Sequence, residues 1–121
     1  MKTGRKATGG KYKKAKKRKL RERVGHIRYV NLGKEKRKSL KTRGGDKKVV
    51  LLSSNKVNLF DPSTKKTQKV EIKSVLETPS NRFLARRNII TKGTIIETEK
   101  GKAKVTNRPS QEGTINAILI K

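Results

Sequence analysis

Residues 11–19 read Lys-Tyr-Lys-Lys-Ala-Lys-Lys-Arg-Lys, and no compact fold buries such a run, because each unpaired charge taken out of water is costly. Like charges at helical spacing also destabilise an isolated helix. The stretch is therefore expected to be disordered when free and to order once phosphates neutralise it. The rest of the chain extends the imbalance: 35 Lys and Arg stand against 9 Asp and Glu, a formal net charge of +26 at pH 7. It is unevenly spread. Residues 1–48 hold 21 cations and 3 acids, net +18, while residues 49–121 hold 14 and 6, net +8. The first part reads as a basic N-terminal arm and the second as a domain.

A charge of this size opposes compaction and calls for a polyanion, nucleic acid being the commonest. An anionic membrane surface is the rival partner, but it would need a continuous apolar helical face, and none is present. No apolar run approaches the ~20 residues of a membrane span, and the N-terminal charges lead into no apolar signal segment. A cytoplasmic protein is expected. With no cysteine and His26 as the one histidine, thiolate and zinc sites are implausible, and no cofactor is expected. No Gly-rich phosphate loop, nucleophile elbow or metal-ligand cluster points to an enzyme.

The second half reads as β. Val49 to Leu52 is a short apolar run consistent with a buried strand, and Val57 to Phe60 a second strand. Asp61-Pro62-Ser63-Thr64 is a turn signal, since proline presets φ and the Asp and Ser side chains bond nearby backbone. Val70 and Ile72 alternate with Lys69, Glu71 and Lys73. Thr78-Pro79 predicts a helix start, with Thr78 as N-cap and a short helix to about Arg87. Strands follow around Ile95-Ile96, Ala103 to Val105 and Ile115 to Leu119, with Lys100-Gly101 as a hairpin turn and Pro109 to Gly113 as a loop. The fold class is thus mostly β: a small closed or partly open β-barrel of about six strands, with one short helix and a long basic N-terminal extension.

The stretch Arg86-Arg87-Asn88-Ile89-Ile90-Thr91-Lys92-Gly93-Thr94-Ile95-Ile96-Glu97-Thr98, followed by Gly101 to Pro109, resembles the archaeal/eukaryotic small-subunit ribosomal protein S-eight-e family, in its shorter archaeal form. Thr8-Gly9-Gly10, Thr42-Arg43-Gly44-Gly45, Leu76 to Arg82 and Gln111-Glu112-Gly113 extend the likeness over essentially the whole chain. Ser110 departs from the family's Arg-Pro-Gly-Gln pattern, and residues 23–38 match it loosely. The resemblance implies a barrel with a basic extension and no enzymatic activity, a structural constituent of the cytoplasmic small subunit that binds rRNA and stabilises its folding and assembly. Its implied partners are small-subunit rRNA and neighbouring small-subunit ribosomal proteins, with a single copy per particle, no homo-oligomer and no membrane. A ribosome biogenesis factor sharing the barrel is the alternative.

The residues expected to carry RNA binding follow from charge and position. In the arm they are Lys11, Lys13, Lys14, Lys16, Lys17, Arg18, Lys19, Arg21, Arg23 and Arg28, each able to neutralise a phosphate and release a counterion. A solubilising tail or localisation signal is the competing reading of that run. Arg43 beside Gly44-Gly45 can clamp phosphate or stack on a base through its planar guanidinium. Arg82, Arg86, Arg87 and Lys92 form a second candidate patch; Lys104 and Arg108, with Lys102, a third, for which a solvated outer face competes. Tyr12 and Tyr29 are the stacking candidates, while Phe60 and Phe83 are expected in the core. The segment Val24 to Leu32 has no clean apolar period, leaving open whether it docks on the domain or on RNA bases.

Overall fold

A computed structural model describes residues 4–13, 16–22 and 25–120. Among these residues there are nine strands: β1 (Val30–Asn31), β2 (Lys36–Lys41), β3 (Lys47–Ser53), β4 (Lys56–Asp61), β5 (Lys66–Glu77), β6 (Ile89–Ile90), β7 (Ile95–Thr98), β8 (Gly101–Val105) and β9 (Asn116–Leu119). Two short helices, α1 (Arg82–Arg86) and α2 (Pro109–Glu112), interrupt them.

Strands β4, β5, β7, β8 and β9 close into a barrel. Each runs antiparallel to the next. With an odd number of strands, the first and last must then point the same way, so the closing pair β4–β9 is parallel, with Asn58, Leu59 and Phe60 opposite Asn116, Ala117 and Ile118. On this seam the Asn58 side-chain amide donates to Asn116 Oδ1 at 2.9 Å. β5 is 12 residues long and serves two neighbours: its first half pairs with β4, its second with β7. Register shifts between Ile72 and Ser74 and between Val75 and Glu77 bend it around the barrel.

The period-two alternation points Val57, Leu59, Val70, Ile72, Ala103, Val105 and Ala117 inward, joined by Val75, Ile96 and Ile115. So narrow a barrel is filled by aliphatic and small side chains. This overturns the expectation that Phe60 and Phe83 are core residues. Phe60 falls on the outer phase of β4 and is 37% exposed; Phe83 lies on the open side of α1, 64% exposed, while Leu84 and Ala85 take the half-buried side.

The helix start also differs. α1 begins at Arg82, capped by Asn81, whose Oδ1 accepts the Phe83 N–H at 3.0 Å. Thr78 is buried, its hydroxyl 3.5 Å from that of Thr94. Thr94 Oγ1 in turn accepts the Thr91 N–H at 3.1 Å, so these threonines satisfy one another inside the fold. The segment 109–113, expected as a loop, makes α2 and ends in Gly113 at φ +76°. Ser110 lies within that helix and has no left-handed backbone, so serine fits the position without strain.

A second sheet has the order β2-β3-β1-β6. β1 runs parallel to β3 at Asn31–Ser53 and antiparallel to β6 at Val30–Ile90. Val30, Leu51 and Ile90 belong to the same buried cluster as the barrel interior. Val49 to Leu52, read as a barrel strand, thus lies in this neighbouring sheet. Val49 itself faces out. β2 and β3 form a hairpin that straddles residue 48, so hydrogen bonding continues across the point where the charge density changes. Its five-residue tip is closed by the Thr42 N–H and hydroxyl, both donating to the Asp46 carbonyl at 2.8 and 2.9 Å, with Gly44 and Gly45 in positive φ.

Candidate nucleic-acid interface

The acids of this chain are spent largely on neutral donors. Glu71 accepts from the Asn55 amide at 3.4 Å, Glu97 from the Ser74 hydroxyl at 2.8 Å, and Glu112 from Asn107 Nδ2 at 3.0 Å. Glu35 is paired with Arg37, its neighbour two residues on. A protein of net charge +26 thus leaves its cations to be neutralised from outside.

The most informative cluster is a groove that joins four distant segments. It is lined by Ile27, Arg28 and Tyr29 ahead of β1, by Ser80, by Ile90, Thr91 and Lys92 at the end of β6, and by Arg108, Ser110 and Gln111 around the start of α2. Val30 and Leu32 anchor the first segment in the core, the former 1% exposed, which leaves Ile27 and Tyr29 outside. The question left open for this segment thus has a divided answer: Ile27 to Tyr29 face the groove, Val30 and Leu32 pack on the domain, and Val24 lies outside the described residues. Three of the expected RNA-binding residues, Arg28, Lys92 and Arg108, meet there.

Glu112 lies close by. Asn107 and the Arg108 N–H hold its carboxyl below the usual carboxylate range, with Lys92 and Lys48 adding to the effect. The root of the β2–β3 hairpin therefore reaches the same neighbourhood. Contact between α2 and β3 is close: a Cβ on Gly113 would stand 3.2 Å from the Val49 carbonyl oxygen.

Arg82 and Arg86, four apart on α1, line a second groove with Val75, Leu76, Glu77, Thr78 and Ala85. Arg87 is the C-cap of the helix and is exposed beside them. Lys104 lies on the outer face of β8 opposite Ile95 and Ile118, apart from both grooves. Arg43 stands at the hairpin tip. In the arm, Lys11, Lys13, Lys16, Lys17, Arg18, Lys19 and Arg21 are exposed; Lys14 and Arg23 lie outside the described residues. Residues 5–11 make a compact turn in which Arg5 donates to the Gly9 carbonyl at 2.8 Å and Lys6 N–H to that of Gly10 at 2.9 Å. The Lys6 ammonium sits 5.7 Å from the centre of the Tyr12 ring.

Charge reasoning passed over the hairpin. Lys36, Arg37, Lys38, Lys41, Lys47 and Lys48 are all exposed on a two-stranded ribbon. The signal was present in Gly44-Gly45 set between two basic runs, a hairpin turn written in an otherwise charged stretch. Among the described residues, no group of three His, Asp or Glu could hold a metal ion. No described helix is long and apolar enough to cross a membrane.

Comparison with known proteins supports the same direction. The family described as Ribosomal protein S8e matches residues 1–120. The chain is 50% identical over 117 residues to the small ribosomal subunit protein eS8 of Methanococcus aeolicus, covering 96% of this chain and 91% of that one. It is 44% identical over 119 residues to the eS8 protein of Methanocella arvoryzae, covering 98% and 95%, and 54% identical over 87 residues to that of Methanobrevibacter smithii, covering 71% and 70%.

Proposed function

The chain belongs to the ribosomal protein S8e family, and on that footing we propose that it is a structural constituent of the cytoplasmic small ribosomal subunit that binds rRNA and stabilises its folding and assembly. No enzymatic step belongs to this reading. The observation that carries it is the meeting of Arg28, Lys92 and Arg108, from three separate parts of the chain, in one groove, in a molecule of net charge +26. Folded RNA is the polyanion such a surface suits. The β2–β3 ribbon and the segment 11–21 extend the contact, the latter as a run that orders on RNA. Neighbouring small-subunit proteins are the further partners, with one copy of this chain per particle and no homo-oligomer.

The reading is tested by salt dependence. With about 8 phosphates contacted, log K against log salt should fall with a slope of about −6 to −7, taking the duplex and single-strand coefficients as brackets. A slope shallower than about −2 would overturn it. In competition, small-subunit rRNA fragments should displace the protein from duplex DNA; equal affinity would mark a nonspecific compactor instead. Sedimentation separates the family's two kinds of role. A structural constituent stays with mature small subunits through a moderate salt wash, whereas an assembly factor is found on precursor particles alone.

A further inference from the structure

We infer that the groove between Tyr29 and α2 is a pocket for one unpaired nucleotide of RNA, a site that goes beyond general phosphate neutralisation while resting on the RNA-binding reading. Four features point to that ligand. Ile90, buried and apolar, is among the residues that line the groove, a lining that suits a base and offers nothing to a phosphate. At the rim, Ile27 is 76% exposed and Tyr29 39% exposed, an apolar pair held out in water by a segment whose next residue, Val30, is locked in the core. An exposed tyrosine ring is a stacking platform for a base, and the isoleucine lines the same groove.

Arg28, Lys92 and Arg108 are the cations lining the groove, and no acid lines it. Glu112, on α2, has its carboxyl held by Asn107 Nδ2 and the Arg108 N–H at 3.0 and 3.4 Å. The three cations are thus available to the phosphates on either side of an extruded nucleotide. Ser80, Ser110 and Gln111 line the groove and make no side-chain hydrogen bond among the described residues, so their donors and acceptors can meet a base edge or a 2′-hydroxyl. A paired duplex presents no such separated base. Its outer phosphates would engage the three cations and leave Tyr29, Ile27 and Ile90 without an occupant.

The test uses the full chain and two RNA stems identical except that one carries a single bulged 2-aminopurine. The wild-type chain should bind the bulged stem on the order of tenfold more tightly, and 2-aminopurine emission should fall on binding as the base stacks. Tyr29→Phe should retain both effects. Tyr29→Ala should reduce the preference to about twofold or less, abolish the quenching and leave affinity for the paired stem nearly unchanged. Lys92→Ala should weaken the bulged stem more than the paired one, and Arg82→Ala, in the other groove, should weaken both alike. Thermal melting of each variant excludes unfolding as the cause. Tight but equal binding of both stems by the wild type overturns the pocket and leaves the RNA-binding reading standing. Equal weakening of both stems by Tyr29→Ala also overturns it. Failure to bind either stem would sink the broader reading and the pocket with it.

Discussion

At the scale of single residues, two glycines with similar backbones are set apart by what faces them. Gly113 and Gly93 both hold left-handed φ, +76° and +83°, yet a Cβ on Gly93 would meet open space while one on Gly113 would press on the Val49 carbonyl oxygen at 3.2 Å. Gly93→Ala is expected to cost about 1 kcal/mol, the usual penalty of that conformation for an L-residue. Gly113→Ala should cost about 2–3 kcal/mol, the contact with β3 adding to the same penalty; urea denaturation of the two variants measures the difference. Glu112 gives a pH prediction. Its folded pKa lies below its unfolded one, chiefly through Asn107 and the Arg108 N–H. The stability it contributes is therefore present above the unfolded value of about 4.3 and lost as pH falls through the lower folded value. Glu112→Gln should melt below the wild type at pH 7, and the gap should narrow in acid.

At the scale of elements, α1 presents three arginines while burying little of itself. Arg82, Arg86 and Arg87 are exposed, and none of the helix is fully buried. Replacing Arg86 and Arg87 with alanine should therefore weaken rRNA binding by roughly tenfold while shifting the melting temperature by no more than about 2 °C. A large fall in melting temperature would make the pair structural. Asn81→Ala should do the opposite: loss of the cap costs about 1 kcal/mol and affects RNA only through the helix's position. The strands were legible because alternation is a local signal: Val70 and Ile72, Ala103 and Val105, and the Ile115–Leu119 run all lie within strands or beside them as read. What sequence could not give was partnership. Val49 to Leu52 reads as a strand in any sheet, and only tertiary contact assigns it to β1 and β2 and not to the barrel. Thr78 has the residue type and spacing of a cap, yet the buried pairing with Thr94 outcompetes that role and passes it to Asn81. The groove was half visible: its cations stood out by charge, but Tyr29, Ser80 and Gln111 are ordinary residues until folding brings them together.

For the whole molecule, the charge gradient and the hydrogen-bond network mark different boundaries. Charge density changes at residue 48, whereas the core begins at Val30, which is paired with Ile90 and packed with Leu51. Composition sees the first and not the second, because a strand of only two residues, Val30–Asn31, carries no periodic signal. Removal of residues 1–25, which contain 12 of the cations and none of the described core residues, is expected to leave the melting temperature within about 3 °C and to make the salt slope shallower by about 3, as roughly four phosphate contacts are lost. The parallel seam of the barrel has a consequence in time. It joins Asn58 to Asn116, positions 58 residues apart, so β4 waits for one of its two neighbours until nearly all of the domain has been synthesised. Closure at such separation is slow, and it comes after the basic segments have already emerged. The nascent chain thus exposes its cations before it has a finished barrel, so on the proposed reading RNA would be available to it during folding as well as after.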